Sequence, residues 1–220
     1  MTWLRLRYTK LGAARFTSAR DVARLMERAF KRAGVPVAYS SGFSPHQRVS
    51  YAFPAPTGAA SLAEYVLVGL TSMAEASELA AALGSQLPGG VRIEGAEMTA
   101  DRHLPAQLAA SLWRVDWPDG ASTDLAEDVN RFMASQTVVI ERKAKSGTSQ
   151  QDVRGAVVQM TADAQAGGGQ GASMTVVLRQ AEPLIRPTDV TTGLGERWGR
   201  GMLTRLAQGN LVGGGVVNVV

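Results

Sequence analysis

The stretch Trp3-Leu-Arg-Leu-Arg-Tyr-Thr-Lys10 decides how the fold begins, because apolar and polar side chains alternate along it. This alternation has the period of a half-buried β-strand. Ser18 stands three residues before Asp21, a spacing that favours the start of a helix. Apolar residues then recur at helical spacing until Gly34 and Pro36 end the helix. The chain therefore begins with a strand and an amphipathic helix.

Strands and helices alternate in a similar order in the two halves of the sequence. In the first half, extended runs are predicted at 35–39, 49–53, 63–70 and 91–98, and a helix at 74–87. In the second half, strands are predicted at 112–117, 137–143, 153–162 and 174–179, and helices at 123–135 and 187–198. The first two runs form one strand that a Gly/Ser/Pro segment interrupts, so the first half has the β-α-β-β-α-β order of a ferredoxin-like domain.

We therefore predict an α+β fold of two tandem ferredoxin-like halves with antiparallel sheets, with one larger α+β domain as the alternative. The predicted boundaries are a basic N-terminal half at 1–99, a connector at 100–111, a C-terminal half at 112–212 and a tail at 213–220. The tail either adds an edge strand or stays disordered. The glycine-rich stretch 166–172 is predicted to be a flexible hairpin loop.

Positive charge is concentrated near the N-terminus. Residues 1–50 hold ten lysines and arginines and two acidic residues, which gives +8, whereas the remaining residues sum to −4. A local surplus of this size favours an acidic partner such as nucleic acid. A solvated basic helix face is the simpler explanation.

The residue types that are missing exclude several chemistries. The chain has no cysteine and only two histidines, His46 and His103. Disulfides, thiolate catalysis and cysteine-held iron–sulfur clusters are therefore excluded, and we expect neither a metal nor a cofactor. No apolar run approaches the roughly 18 residues that cross a bilayer, and the first residues lack a signal-peptide core. We expect a cytoplasmic protein without membrane contact.

Several motifs in the first 65 residues carry a family resemblance. They are Arg15-Phe-Thr-Ser-Ala-Arg-Asp21, Arg28-Ala-Phe-Lys-Arg-Ala-Gly-Val-Pro36, Tyr39-Ser-Ser-Gly-Phe-Ser-Pro-His46, Pro54-Ala-Pro-Thr-Gly58 and Glu64-Tyr65. The chain resembles a radical-SAM-linked bacterial family, a domain of unknown function. The resemblance is specific over residues 3–65 and weaker over 110–206, where Asp152-Val-Arg154 and Arg186-Pro187 look similar to family features.

The resemblance implies a partner rather than an activity. Members resemble domains fused to, or encoded beside, a radical SAM protein, and in some lineages near a ribonuclease of the E/G type. The family pattern has a histidine where this sequence has Ala19, so no catalytic role is carried over for that motif. The resemblance implies a radical SAM enzyme as the partner of this chain.

The predicted helix supplies the first candidate site. Arg20, Arg24, Arg28 and Lys31 recur about one turn apart, which makes a row of donors suited to successive phosphates. Arg5 and Arg7 share one face of the first strand. In a ferredoxin-like domain the helices and the open sheet face lie on opposite sides, so one surface need not hold both sets.

The segment Ser40–Arg48 supplies the second candidate site. Gly42 and Pro45 favour a turn, and an exposed turn with aromatic, histidine and arginine side chains suits bases and phosphates. The alternative is a hairpin whose Phe43 packs on the core. The predicted RNA-binding residues are Arg5, Arg7, Lys10, Arg20, Arg24, Arg28, Lys31, Tyr39, Phe43, His46 and Arg48.

These sites lead to three functional hypotheses. The leading one is a non-catalytic RNA-binding accessory protein that presents its substrate to a partner enzyme of the radical SAM type. The second is a protein-interaction subunit that docks on a radical SAM enzyme without RNA. The third is a metal-independent ribonuclease in which His46 acts as acid or base with Tyr39 or Lys10. We predict no catalytic residue under the leading hypothesis.

Overall fold

A computed structural model describes residues 2–144, 147–163 and 171–220 of the chain. The protein is mixed α+β, as predicted, and its sheet is mostly antiparallel. The chain divides into two compact units: the first runs to Leu108 and regains Asn218–Val220, and the second is Ala109–Val217. Residues 166–170 of the predicted glycine-rich loop lie outside the described residues.

The described residues of the first unit form four strands and three α-helices. They are β1 (Thr2–Lys10), α1 (Ala19–Arg32), β2 (Val49–Ala52), β3 (Ala60–Leu70), α2 (Ala76–Gly84), β4 (Ile93–Thr99) and α3 (Leu104–Gln107). Within this unit the strands lie in the order β4-β1-β3-β2, and every pair is antiparallel. The predicted run at 35–39 is reduced to isolated bridges at Val37 and Tyr39, since Pro36 has no N–H to donate.

The second unit has a sheet and a separate hairpin. Its elements are β5 (Ala110–Trp117), α4 (Ser122–Ala134), β6 (Val139–Ala144), β7 (Gly147–Asp152), β8 (Val157–Asp163), β9 (Ala172–Arg179), α5 (Pro187–Leu194), β10 (Met202–Val212) and β11 (Gly215–Asn218). Antiparallel pairing gives the order β10-β5-β9-β8, with β11 on β10 and β6 on β7. In the turn to β11, Gly213 and Gly214 both have positive φ, which a type I′ hairpin turn requires.

The main core of the first unit lies between α1 and one face of the sheet. Leu4, Leu6 and Tyr8 alternate along β1 and pack with Met26 and Phe30 of α1. These side chains are almost completely buried. Because burial uses one face of α1, the opposite face of this helix remains in solvent.

Both ends of α1 are defined by local hydrogen bonds. The Ser18 hydroxyl accepts from the Asp21 backbone N–H at 3.2 Å, which caps the N-terminus. At the other end the Val35 N–H donates to the Phe30 carbonyl, and the Gly34 N–H donates to the Lys31 carbonyl. Gly34 has φ +67°, so the helix ends in a Schellman motif.

Candidate functional site

The solvent face of α1 carries a row of four cations, and the acidic Asp21 and Glu27 are exposed on the same helix. Arg20, Arg24, Arg28 and Lys31 are all exposed, and they recur at steps of four, four and three residues. We call these four residues the basic face of α1. Arg24 lies 3.8 Å from the Asp21 carboxylate, in a contact between two exposed side chains that adds little stability. The row is therefore held by the helix itself and is open to solvent.

The net charge of α1 favours an anionic partner. The helix carries five basic residues and the two acidic residues Asp21 and Glu27, which leaves +3. Arg32, the fifth basic residue, donates to both the side chain and the backbone carbonyl of Gln86. Arg32 therefore attaches the C-terminal end of α1 to Gln86. The basic face of α1 does not include Arg32 and keeps its positive charge.

A projecting hairpin forms the second part of the candidate site. Tyr39 and Gln47 make an isolated antiparallel bridge, and the Ser40 N–H donates to the His46 carbonyl at 2.8 Å. We call residues 39–47 the 39–47 hairpin. Its base is attached to β3 by the Ala38 N–H, which donates to the Gly69 carbonyl, and by the Gly69 N–H, which donates to the Arg48 carbonyl.

The aromatic side chains of this hairpin face solvent. Phe43 is fully exposed at the tip and Tyr39 is 55% exposed. Phe43 therefore does not pack on the core, as the alternative interpretation of this segment required. Burial of a phenylalanine side chain is favourable by about 2 kcal/mol. A partner that covers Phe43 would gain part of this free energy.

His46 is positioned by a serine rather than by a catalytic partner. Its ring Nδ1 lies 2.9 Å from the Ser40 hydroxyl, which also accepts from the His46 N–H. The two groups predicted to assist a ribonuclease are engaged elsewhere. The Tyr39 hydroxyl accepts from Gln47, and the Lys10 ammonium donates to backbone carbonyls. The geometry gives the ribonuclease hypothesis no support.

Arg5 and Arg7 lie on the sheet face opposite α1, and this face is covered. Arg5 is 5% exposed and forms an ion pair with Glu97 at 2.6 Å. The Arg7 guanidinium donates to the Val220 and Glu94 carbonyls. The cover consists of apolar residues of α3, of the position that follows it and of the C-terminal end, namely Leu104, Leu108, Val219 and Val220. Arg5 and Arg7 therefore do not extend the basic face of α1.

Lys10 is also absent from the exposed cationic surface. It is 2% exposed, and its ammonium donates to the Ala55 carbonyl at 2.9 Å and to the Pro56 carbonyl at 3.2 Å. The Glu64 carboxylate accepts from the Ala55 N–H at 3.1 Å. These bonds hold residues 54–56 against the sheet. Lys10 is a structural cation of the first unit rather than part of an exposed phosphate-binding row.

A cavity that we did not predict lies beside the N-terminus of α1. Its volume is about 180 Å³, and its lining is Tyr8, Lys10, Ala19, Val22, Tyr51, Pro54, Ala55 and Glu64. Burial raises the pKa of Tyr51 far above its usual value, and the nearby charge of Glu27 raises it further. No sequence signal marked Tyr51, because its place in an alternating strand is ordinary.

The described residues hold no cluster of three or more metal-ligating side chains. In the same residues, no helix is both long and apolar enough to cross a membrane. These two observations do not identify the molecules that bind the chain.

No curated protein matches the chain. A family model described as an uncharacterized protein conserved in bacteria (DUF2344) matches residues 3–187. That description states no activity, so the link to radical SAM enzymes stays a prediction. Because the match spans most of the sequence, the chain belongs to this uncharacterized family conserved in bacteria.

Proposed function

We propose that the first unit binds single-stranded RNA through the basic face of α1 and the tip of the 39–47 hairpin. The chain then acts as a non-catalytic accessory protein that presents this RNA to a partner enzyme. One observation carries the proposal: the same unit combines four exposed cations on one helix face with a fully exposed Phe43. Cations bind phosphates without regard to sequence, and aromatic rings stack on bases.

The spacing of the cations suits a flexible strand. A helix rises 1.5 Å per residue, so the row from Arg20 to Lys31 is about 16 Å long, with neighbours about 4.5 to 6 Å apart along the axis. A single strand can adjust the distances between its phosphates to such a row. Arginine adds bidentate contacts that a phosphate can accept.

Phe43 supplies a different kind of contact. Stacking of one base on an aromatic side chain contributes about 1–3 kcal/mol and does not depend on salt. Tyr39 and His46 in the same hairpin are also exposed and extend the surface available to bases or phosphates. The hairpin therefore gives affinity that the basic face of α1 cannot give.

We also propose that each unit is ferredoxin-like and that the partner is a radical SAM enzyme. The strand orders β4-β1-β3-β2 and β10-β5-β9-β8 support a ferredoxin-like assignment of each unit. The family resemblance supports a radical SAM enzyme as the partner. Such an enzyme holds its cluster with cysteines, and this chain has none, so the radical chemistry belongs to the partner.

A stacking variant tests the proposal. We expect Phe43→Ala to weaken binding of a fluorescently labelled single-stranded RNA by about 5- to 150-fold, since one stacked base is lost. The slope of log affinity against log salt should stay unchanged, because no cation is removed. The measurement is fluorescence anisotropy of the labelled RNA at several salt concentrations.

Met73→Ala is the matched control. Met73 is 87% exposed, apolar and in the same unit, but outside the proposed surface, so its loss should leave RNA affinity unchanged. If Phe43→Ala binds RNA like the wild type, the stacking contact does not exist. If the wild type itself does not bind RNA at low salt, the RNA proposal is wrong, and the exposed hairpin is better explained as a docking site for a partner protein.

A further inference from the structure

The cavity beside α1 has the size of a single aromatic ring with substituents. Its volume is about 180 Å³. A cavity of about 150 Å³ in a protein core accommodates benzene. The cavity therefore has room for a one-ring heterocycle with its substituents, and a two-ring purine would fit it less easily.

The chemistry of the lining suits a flat heterocycle. Tyr8 and Tyr51 contribute aromatic rings, and Val22 and Ala55 contribute buried apolar surface. The Tyr51 hydroxyl is buried and has no hydrogen-bond partner among the described residues. A buried polar group without a partner costs about 1–3 kcal/mol, and the edge of a base carries groups that would remove this cost.

The polar residues of the lining also hold the wall in place. Lys10 donates to the Ala55 and Pro56 carbonyls, and Glu64 accepts from the Ala55 N–H. The segment that closes one side of the cavity is therefore fixed by three hydrogen bonds. A pocket whose wall is already ordered binds a ligand without a further loss of conformational entropy.

The cavity opens where the basic face of α1 begins. Ala19 and Pro54 are the exposed members of its lining, and they mark its mouth. Ala19 is followed directly by Arg20, the first cation of the basic face. A strand whose phosphates follow this face would bring a base to the mouth of the cavity.

We propose that this cavity holds one unstacked pyrimidine base of the RNA strand that the basic face of α1 binds. The inference rests on the function proposed above and adds a preference for one class of base. In single-stranded RNA the base is already free to turn outward, so entry costs little unstacking energy. The basic face of α1 then supplies general affinity, and the cavity selects uracil or cytosine over adenine or guanine.

The test compares three homopolymers with two matched variants. The probes are labelled 12-nucleotide oligouridylate, oligocytidylate and oligoadenylate, and the readout is fluorescence anisotropy with the full chain. Ala19→Phe places a large side chain at the mouth, where the exposed position tolerates it. Ala81→Phe makes the same change at an exposed position of α2, away from the cavity.

We expect the wild type to bind both pyrimidine homopolymers more tightly than oligoadenylate. Ala19→Phe should weaken pyrimidine binding by about 5- to 150-fold, which corresponds to one lost base contact. It should leave oligoadenylate binding and the salt slope unchanged. Ala81→Phe should behave like the wild type with all three probes.

Tyr51→Phe keeps the ring and removes only the unpartnered hydroxyl. Because that hydroxyl makes no hydrogen bond in the described residues, the protein should stay folded. We expect pyrimidine binding to weaken by about 2- to 10-fold, the effect of one lost hydrogen bond. An unchanged pyrimidine affinity would show that the Tyr51 hydroxyl does not contact the base, which would contradict the proposed binding in the cavity.

The possible results separate the two proposals. If RNA binds with equal affinity for all three probes, or if Ala19→Phe weakens all three equally, the cavity does not select a base and only this inference is wrong. If no probe binds at low salt, the proposed function and the cavity inference both fail. A pyrimidine preference that Ala19→Phe abolishes and Ala81→Phe preserves supports both.

Discussion

Asp128 shows how a buried charge is satisfied at the scale of one residue. Its carboxylate is almost completely buried in the second unit and accepts hydrogen bonds from Arg131, from Arg197 Nε at 2.7 Å and from the Trp198 indole at 2.7 Å. Burial raises the pKa of Asp128, but the hydrogen bonds from Trp198, Arg197 and Arg131 outweigh it, and the pKa lies below its usual value. The charged form is therefore the stable one in the fold.

This lowered pKa predicts a loss of stability in acid. Since the folded state binds the proton less readily than the unfolded state, Asp128 stabilises the fold above the usual pKa of 3.8. That contribution is lost as pH falls through the lower pKa of the folded state. We expect Asp128→Asn to reduce the free energy of unfolding by about 2 kcal/mol at pH 7. The difference from the wild type should shrink below about pH 4.

Urea unfolding of both proteins at pH 7 and at pH 3 measures this difference. Asp119→Asn serves as the control, since Asp119 is exposed and its loss should change little at either pH. A wild-type advantage that stays constant between the two pH values would contradict the assignment of a stabilising charge to Asp128.

Buried charges are also where the sequence was least informative. The alternation of β1 placed Arg5 and Arg7 on one face, as observed, but it could not tell that Val219 and Val220 cover this face. The covering residues come from the far end of the chain. Their position depends on tertiary packing, which no local pattern in residues 2–10 contains.

At the scale of elements, α1 combines the core and the candidate surface. One face buries Met26 and Phe30, and the opposite face carries the basic residues. The orientation of the basic face therefore depends on the stability of the whole helix. Its N-terminus depends on the side chain of Ser18, whose hydroxyl accepts from the Asp21 N–H.

Removing this cap should weaken α1 at its first turn. We expect Ser18→Ala to reduce the free energy of unfolding by about 1 kcal/mol, because the Asp21 N–H loses its acceptor. Ser18→Asn provides another acceptor, so its free energy of unfolding should lie within a few tenths of a kcal/mol of the wild-type value. Urea unfolding measures the free energy, and hydrogen exchange of the Asp21 amide reports the first turn directly. Equal exchange in the wild type and Ser18→Ala would show that Ser18 is not the cap.

Amphipathic elements were predictable from the sequence, whereas polar or irregular ones were not. The predicted strand at 3–10 and the predicted helix start at Ser18 match β1 and α1 closely. β7 was missed, because Gly147–Asp152 is polar throughout and pairs only in a hairpin. β10 was also missed, since Arg205 and Gln208 are buried and interrupt its apolar pattern.

Arg205 illustrates why β10 does not look like a strand. Its guanidinium lies 4.7 Å from the centre of the Trp113 ring and donates to the Gln208 side chain. A buried cation is stable there because an aromatic face and a hydrogen bond replace water. Its neighbours in space, and not its neighbours in sequence, make this position possible.

The candidate site was predictable only in part. Some of its residues follow a local sequence pattern, whereas others meet only in the folded unit. Helical spacing was enough to place Arg20, Arg24, Arg28 and Lys31 on one exposed face. The turn residues were enough to suggest an exposed turn around Phe43. The cavity near Ala19 was not predictable, because its lining comes from four separate segments that meet only in the folded unit.

At the scale of the whole molecule, charge is distributed unevenly along the chain. Residues 1–50 carry +8 and the remainder −4, so the surplus of positive charge lies in the first unit. Some of these cations are used internally, as with Arg5 and Lys10. The basic face of α1 is the part of this surplus that remains exposed as one row. We therefore propose that RNA binds to the first unit.

The salt dependence of RNA binding tests this central claim most directly. If four phosphates of a single strand are contacted, log affinity should fall with log salt with a slope of about −3, or −0.7 per phosphate. Arg24→Ala combined with Arg28→Ala should flatten this slope by about 1.4. The matched control replaces Arg179 and Arg200, two exposed arginines of the second unit, and should keep the wild-type slope. Equal slopes in the two double variants, or no RNA binding by the wild type at low salt, would contradict the account.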